Sequence, residues 1–235
     1  MIPAAGSGSR LGGAVPKQYL PLTGTPMILR TIAQLTSVHG IERVFVLLAP
    51  DDEHWDGMRA DLPDSVGVIR CGGATRAATV RQGLAIIAGE MRADDWILVH
   101  DAARPCVDPE RIEAMMSLLK DDAVGGLLAL KVPDTIKRGN DDGVVETVPR
   151  DNLWLAQTPQ MFRCGLLRQA LDRLPNGGTE EGQAAVTDEA QAMEAMGLIP
   201  RLVPSDASNL KVTYLEDLVL AEAILTSRAG KKGRL

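Results

Sequence analysis

Three nearly continuous apolar runs, separated by helix-like patterns, constrain the fold of this chain more than any other feature. They are RVFVLLA at 43–49, WILVH at 96–100 and the run at 124–132, and such runs are typical of strands covered on both faces. Before and between them, helices are predicted: one begins at Thr25 and Pro26, with Ile28 and Ile32 at helical spacing, and another covers residues 51–62. This alternation predicts a Rossmann-like α/β fold with a mostly parallel sheet and helices on both faces.

The composition agrees with one domain over residues 1–235 with an aliphatic core, because 45% of the residues are hydrophobic but only 3% are aromatic. The net charge of −6 argues against a nucleic-acid surface, so an anionic ligand needs a local cationic site. Cys71, Cys106 and Cys164 are widely spaced, which predicts a reducing cytoplasm and no zinc site. No apolar run reaches membrane-spanning length, so a membrane partner is not expected.

The segment PAAGSGSRLGGAVPKQ at 3–18 is the clearest candidate for a ligand site. It holds four glycines and two cations, Arg10 and Lys17. Glycine lets a ligand approach the backbone, and exposed N–H groups of such a loop surround phosphate oxygens. The segment therefore predicts a polyphosphate loop, although a flexible glycine loop with two solvated cations is the plain alternative.

Two well-known phosphate loops do not fit this segment. Gly8 and Gly13 have the Walker A separation, but Ala14 stands where that loop needs lysine. The dinucleotide fingerprint needs a third glycine at the position of Leu11. A dinucleotide oxidoreductase is therefore disfavoured.

Two further candidate sites follow predicted strands. The glycine pair at 72–73 separates a short strand at 65–70 from a helix that begins near Thr75. It is either a plain tight turn or part of a ligand site, since open α/β sheets bind ligands at the carboxyl ends of their strands. Asp101 follows the run at 96–100, where a carboxylate is well placed to hold Mg²⁺, although it could also cap a turn.

Three more residues near these motifs can carry charge, and each has a plain interpretation. His100 is expected to pack at a strand end, and Arg104 to pair with a nearby carboxylate. Lys211 precedes the last predicted helix, where Thr213 and Glu216 form a capping box. That position suits phosphate binding, although a lone lysine there is usually just exposed.

The segment 134–155 has the pattern of a hairpin, with a charged tip at 138–143 between two short β-like runs. Its apolar residues are too few to bury a core, and an isolated hairpin is only marginally stable in water. The segment, called the β-arm below, is therefore expected to pack on a partner subunit. From their local sequence alone, Arg150 is expected to be an ordinary exposed arginine and Thr158 a turn residue before Pro159.

Taken together, the motifs resemble the sugar-phosphate nucleotidyltransferases. Gly-x-Gly-x-Arg followed by Pro-Lys-Gln is similar to the cytidylyltransferase branch. The most similar family is 2-C-methyl-D-erythritol 4-phosphate cytidylyltransferase, on HDAARP at 100–105, DTIKR at 134–138, QTPQ at 157–160 and NLKVT at 209–213. The resemblance covers essentially the whole chain. It implies cytidylyl transfer from CTP to 2-C-methyl-D-erythritol 4-phosphate, with release of pyrophosphate, in non-mevalonate isoprenoid biosynthesis.

The resemblance also implies a role for individual residues. It makes Arg10, Lys17 and Lys211 catalytic cations and Asp101 the ligand of Mg²⁺ or another divalent cation. The implied CTP-binding residues are Ala4, Ala5, Gly6, Gly8, Arg10, Lys17, Gly73, Thr79, Asp101 and Ala102. The implied acceptor-binding residues are Thr135, Arg150 and Thr158, the first two supplied by a β-arm that reaches over the other subunit of a homodimer.

Two residues depart from the pattern that the resemblance implies. Ala74 and Ser208 stand where acidic residues are expected, the second as a further metal ligand. Asp206 lies two residues before Ser208, which leaves Asp101 as the one firm carboxylate ligand. Two alternatives stay open: a cytidylyltransferase for another polyol phosphate, such as ribitol 5-phosphate, and a non-catalytic nucleotide-binding dimer.

Overall fold

The structure, a computed structural model, describes residues 1–6, 15–174 and 186–232. Within these ranges the strands are β1 (Ile2–Pro3), β2 (Pro21–Leu22), β3 (Thr25–Pro26), β4 (Val44–Leu48), β5 (Val66–Arg70), β6 (Trp96–Val99), β7 (Gly125–Lys131), β8 (Ile136–Asn140), β9 (Gly143–Val148), β10 (Trp154–Arg163) and β11 (Arg201–Pro204). The helices are α1 (Met27–Thr36), α2 (Arg76–Ile87), α3 (Pro109–Leu119), α4 (Cys164–Asp172), α5 (Glu189–Glu194) and α6 (Leu215–Lys232).

The strands form a mostly parallel arrangement, as predicted. β1 and β5 flank β4 in parallel, while β11 lies parallel to β7. The two groups meet at Met1, whose nitrogen donates to Leu98 O (2.6 Å) and whose carbonyl accepts from the His100 N–H (2.9 Å). Bonds to the residues on either side of Val99 are the pattern of a parallel pair. β10, between β6 and β7, is antiparallel to both.

Helices cover both faces of the sheet, and β4 shows how. Its side chains alternate: Val44, Val46 and Leu48 pack in the cluster that contains residues of α1 and α3, whereas Phe45 and Leu47 pack with residues of α2 and α4. The continuous apolar pattern of β4 therefore reflects burial on two sides. In the described part of the chain, the structure has no helix long and apolar enough to span a membrane.

Strand β10 was not predicted from the sequence. It contains Thr158 and Pro159, which read as a turn because proline cannot donate a hydrogen bond within a sheet. The pairing of β10 with β7 shifts between Ala156 and Gln160, so an irregularity accommodates the proline. The consequence is that the QTPQ motif lies inside the sheet next to β6.

Two helix predictions are corrected by the structure. The helix expected from Thr25 begins at Met27, because Thr25–Pro26 is extended and pairs with β2. The helix expected over 51–62 is reduced to a short 3-10 helix, Asp56–Asp61. There the Asp52 carboxylate accepts the N–H groups of His54 and Trp55, a local alternative to a helical start.

The predicted Thr213–Glu216 capping box is also wrong. α6 begins at Leu215, and the carboxylate of Asp217, not Glu216, accepts the N–H groups of Thr213 (2.7 Å) and Tyr214 (2.8 Å). The start of α6 is therefore capped from within the helix by an acidic residue of its first turn.

The predicted hairpin is present in the β-arm. β8 and β9 pair antiparallel, and an ion pair joins Arg138 and Glu146 (2.6 Å). Among the described residues these two strands pair with each other and with no other strand. Val144 and Val145 are 67% and 61% exposed. The hairpin thus holds apolar side chains that the described part of the chain does not cover.

Candidate active site

A cavity of about 550 Å³ opens at the carboxyl ends of β1, β5 and β6. This is the edge at which open α/β sheets bind ligands. Nine predicted site residues line it: Ala4, Ala5, Gly6, Lys17, Gly73, Thr79, Asp101, Ala102 and Lys211. The structure therefore brings together four segments that are far apart in sequence.

Gly8 and Arg10 lie outside the described residues. The other three predicted site residues, Thr135, Arg150 and Thr158, do not line this cavity. Thr135 and Arg150 are exposed in the β-arm, and Arg150 Nη1 donates to Pro133 O. Thr158 is 4% exposed, and it packs behind the cavity in β10.

The first loop is held in place by the residues that follow it. Gln18 Nε2 donates to the carbonyls of Ala4 (2.8 Å) and Gly6 (3.0 Å). Lys17 Nζ donates to Val212 O (3.2 Å), in the segment that carries Lys211. Lys17 and Lys211, two of the three cations predicted to act on phosphates, are thus drawn to the same wall of the cavity.

The glycine pair forms a turn that packs tightly against this loop. A Cβ on Gly72 would lie 2.4 Å from Ala5 Cβ, and one on Gly73 would lie 2.8 Å from Ala78 Cβ. The Thr79 hydroxyl accepts the Gly73 N–H (3.0 Å) and donates to Thr75 O (3.1 Å). Thr79 therefore shapes the turn with its hydroxyl while its side chain lines the cavity.

Asp101 is an acidic residue in the lining of the cavity. It is 7% exposed, and three cations surround its carboxylate. Arg76 Nε lies 3.0 Å from Oδ1, Lys211 Nζ 2.8 Å from Oδ2 and Arg104 Nε 3.7 Å from Oδ2. Burial alone would raise the pKa of Asp101, but the charges of Arg76, Lys211 and Arg104 outweigh it and hold the pKa well below its usual range. The carboxylate is therefore ionised throughout the physiological range.

Arg76 links Asp101 to a second buried carboxylate. Its Nη1 lies 2.7 Å from Oε1 of Glu189, which is 1% exposed in the first turn of α5. Burial raises the pKa of Glu189, and the charge of Arg76 opposes that rise. Arg76 is therefore fixed from both sides, between the cavity and the protein interior.

A chain of hydrogen bonds beneath Asp101 fixes the backbone at that position. The Asp101 N–H donates to Thr158 Oγ1 (3.0 Å), and Oγ1 lies 3.0 Å from His100 Nδ1. His100 Nε2 lies 3.1 Å from Arg104 O, which can only accept, so Nε2 carries the proton and Nδ1 accepts from Thr158. Burial lowers the pKa of His100 to about 4, in agreement with this neutral form. His100 is packed at the strand end and Arg104 is paired with a carboxylate, as predicted.

Thr158→Val should show how much this chain contributes. Valine has nearly the same shape but leaves the buried Asp101 N–H and His100 Nδ1 unpaired, so we expect the free energy of unfolding to fall by about 2–4 kcal/mol. Urea unfolding followed by circular dichroism measures this loss. Thr158→Ser, which keeps the hydroxyl, is the control. Equal destabilisation by both substitutions would contradict the hydrogen-bond chain.

Ser208 is not among the residues that line the cavity. Its hydroxyl donates to Asp206 Oδ1 and accepts from Arg228 Nη2 (2.7 Å). Among the described residues, Asp101 is the one carboxylate that lines the cavity, and no cluster of three or more metal-ligating side chains is present. Mg²⁺ is commonly held by one or two carboxylates together with substrate phosphates. A single carboxylate such as Asp101 therefore suits such an ion only where phosphate oxygens supply further ligands.

Arg76 and Glu189 were not predicted as site residues from the sequence. One signal pointed to Arg76: a cation in the first turn of a helix is unfavourable to the helix dipole and needs a compensating partner. Glu189 gave no such signal, since an acidic residue in a first turn is favourable by itself. Their pairing joins residues 113 positions apart and is visible only in the fold.

Comparison with known proteins agrees with this geometry. Residues 1–227 match the family model of IspD: 2-C-methyl-D-erythritol 4-phosphate cytidylyltransferase. The chain is similar to proteins of that name from an Azoarcus species (53% identity, 98% of this chain and 94% of that one) and from Dechloromonas aromatica (51% identity, 97% of each). A crystal structure of the Francisella tularensis 2-C-methyl-D-erythritol 4-phosphate cytidylyltransferase superposes with a TM-score of 0.80 at 36% identity, over 95% of this chain and 97% of that one. The chain therefore belongs to the 2-C-methyl-D-erythritol 4-phosphate cytidylyltransferase (IspD) family.

Proposed function

We propose that this cavity transfers the cytidylyl group of CTP to 2-C-methyl-D-erythritol 4-phosphate. The products are 4-diphosphocytidyl-2-C-methyl-D-erythritol and pyrophosphate. Family membership over nearly the whole chain establishes the reaction class and both substrates. The observation that carries the assignment to this cavity is the convergence of Lys17, Asp101 and Lys211 on one wall.

The reaction needs no protein base. A phosphate oxygen of the acceptor is already anionic near neutral pH, and its lone pair forms the new bond to the α-phosphorus of CTP. The bond from that phosphorus to the β-phosphate oxygen breaks, and its electron pair leaves with pyrophosphate. Catalysis can therefore come from positioning and from stabilisation of negative charge.

The cations of the cavity are suited to that task. We assign Lys17 to the triphosphate and to the leaving pyrophosphate, and Lys211 to the α-phosphate. Arg10 would join Lys17 on the triphosphate. The backbone of Ala4, Ala5 and Gly6, with the Gly73 turn, would border the nucleotide.

A divalent cation fits the same site. Asp101 would hold Mg²⁺, or another divalent cation, as its one carboxylate ligand, and the phosphates and water would supply the other oxygens. When bound, such an ion neutralises phosphate charge in the transition state.

We further propose that the β-arm binds the acceptor across a homodimer. Thr135 and Arg150 are exposed and lie outside their own cavity, which supports contact with a partner. Val144 and Val145 are exposed and apolar, so association would also bury them. Thr158 would orient the acceptor from behind Asp101, in addition to its hydrogen bonds to His100 and Asp101.

The cysteines support a cytoplasmic location, which we also propose. Cys71, Cys106 and Cys164 are buried free thiols in the structure. Thiols of this kind persist where the environment is reducing.

Arg150→Ala should raise the KM for the acceptor far more than the KM for CTP. Loss of a charge-assisted hydrogen bond to phosphate corresponds to a factor of roughly 10–100. Steady-state kinetics with each substrate varied separately measures the two values. Arg138→Ala removes another exposed arginine of the β-arm and should change neither by more than about twofold. An equal rise in both KM values would contradict the assignment.

Mixed dimers test whether the arm acts in trans. If Arg150 serves the partner's site, a dimer of one Lys17→Ala subunit and one Arg150→Ala subunit contains one site with both residues intact. At an acceptor concentration well below the KM of Arg150→Ala, where each variant alone is nearly inactive, activity should then reappear when the two variants are mixed and allowed to exchange subunits. Without an arm in trans, each site keeps one defect and mixing restores nothing.

The reaction itself is tested by pyrophosphate release. The full chain is incubated with CTP and Mg²⁺ in three separate reactions. One contains 2-C-methyl-D-erythritol 4-phosphate, one contains ribitol 5-phosphate and one contains no acceptor. Release with the first acceptor alone is the expected result. Release with ribitol 5-phosphate alone would change the acceptor, and no release from folded protein that binds CTP would contradict the proposed function.

A further inference from the structure

Both oxygens of the Asp101 carboxylate are occupied by cations in the structure. Arg76 Nε is 3.0 Å from Oδ1, and Lys211 Nζ is 2.8 Å from Oδ2. A divalent cation that uses Asp101 must therefore compete with one of these groups. Whether the metal displaces Arg76 or Lys211 depends on how firmly each side chain is held.

Arg76 is held much more firmly than Lys211. The Arg76 side chain is 24% exposed and also bonds to the buried Glu189. The Lys211 side chain is 40% exposed, and in the described part of the chain its ammonium has an ion pair with Asp101 alone. Lysine also carries its charge on a flexible four-carbon stem. Lys211 is therefore the cation that can leave Asp101 at low cost.

The charge around Asp101 opposes metal binding while Lys211 stays in place. Arg76, Arg104 and Lys211 together outnumber the two carboxylates of Asp101 and Glu189, so the cluster is already positive. A divalent cation would add to that charge. Phosphate groups of a nucleotide reverse the balance, because they attract the lysine and also supply oxygen ligands.

We propose that Lys211 is a latch on the metal ligand: it occupies Asp101 Oδ2 until nucleotide phosphates draw it away and free that oxygen for the metal. This inference rests on the proposed function, and it adds the order in which nucleotide and metal bind to the site. Metal binds poorly to the enzyme without nucleotide, and each of the two ligands strengthens binding of the other by the same factor.

The test measures metal binding without nucleotide or turnover. Mn²⁺ is titrated into the full chain, and the electron paramagnetic resonance signal of free Mn²⁺ reports what stays unbound. Lys211→Met should bind Mn²⁺ at least about tenfold more tightly than the wild type, because a unit charge next to the ligand oxygen is removed. Lys120→Met removes an exposed lysine paired with Asp121 and should bind as the wild type does.

Two further variants show whether the tighter binding comes from the freed Asp101 oxygen. Lys211→Met combined with Asp101→Asn should lose the gain, because the freed ligand is gone. Lys211→Arg keeps the charge and should bind Mn²⁺ as weakly as the wild type. A wild type that binds as tightly as Lys211→Met, or a gain that survives Asp101→Asn, would overturn the proposal. Failure of the proposed function would instead appear as absent pyrophosphate release, whatever the Mn²⁺ affinities are.

Discussion

Lys17→Ala should lower turnover by roughly 10²–10³-fold, the usual effect of losing a donor that stabilises transition-state charge. Lys17 lines the cavity, and its ammonium lies 3.2 Å from Val212 O, beside the segment of Lys211. A phosphate chain that enters the cavity offers anionic oxygens to Lys17, which attract its ammonium more strongly than this neutral carbonyl does. The interaction then strengthens as pyrophosphate leaves and its charge grows, so kcat should fall more than the affinity for CTP.

Pre-steady-state and steady-state kinetics with saturating acceptor measure this effect, and calorimetry gives the CTP affinity separately. Lys17→Arg, which keeps the charge, should recover part of the rate. Lys120→Ala removes an exposed lysine immediately after α3 and should leave kcat within about twofold of the wild type. Turnover of Lys17→Ala above about a tenth of the wild-type value would remove Lys17 from the mechanism, given the magnitude above.

The separate parts of this site were visible in the sequence because each is a local pattern. Asp101 follows an apolar run and Lys211 precedes a helix, and both positions have a known meaning in α/β folds. The contact between them is an ion pair of 2.8 Å that joins residues 110 positions apart, so no local pattern in the sequence contains it. That contact turns two candidate ligand groups into mutual competitors, and the proposed latch depends on it.

The fold was predictable for a similar reason, with strand β10 as the exception. β4 and β6 were recognised because burial on both faces leaves a continuous apolar signature. β10 is equally central, yet it contains Gln157, Thr158 and Gln160, whose polar groups bond to neighbouring segments. Buried polar residues that satisfy one another across the fold look like a loop when they are seen only in sequence.

Arg76→Met should destabilise the fold by about 3–5 kcal/mol, the usual cost of removing one partner from a buried ion pair. The guanidinium lies between Asp101 and Glu189, with contacts of 3.0 and 2.7 Å. Asp101 keeps Lys211 and Arg104 after the substitution, but Glu189 is 1% exposed and loses the cation that lies against it. The cost should therefore arise mainly at Glu189.

This origin gives the destabilisation a definite pH dependence. Burial already raises the pKa of Glu189, and loss of Arg76 removes the charge that lowers it. Glu189 of the folded variant then keeps its proton at pH values where Glu189 of the unfolded chain, with an ordinary pKa of about 4.3, has already released it. Stability that depends on this proton is present at low pH and is lost as the pH rises towards the folded pKa. The deficit of Arg76→Met relative to the wild type should be larger at pH 8 than at pH 5, measured by urea unfolding at both.

Two companion variants locate the effect. Glu189→Gln keeps an oxygen that accepts from Arg76 and leaves Arg76 paired with Asp101, so its cost should be about 1 kcal/mol. Arg76→Met combined with Glu189→Met removes both buried charges and fills the space with apolar atoms, which is often neutral or favourable compared with the broken pair. The double variant should therefore be more stable than Arg76→Met alone, and its deficit should no longer grow between pH 5 and pH 8. If it were as unstable as the single variant at both pH values, the cost would arise from lost packing around α2, and the ion pair would contribute little to the fold.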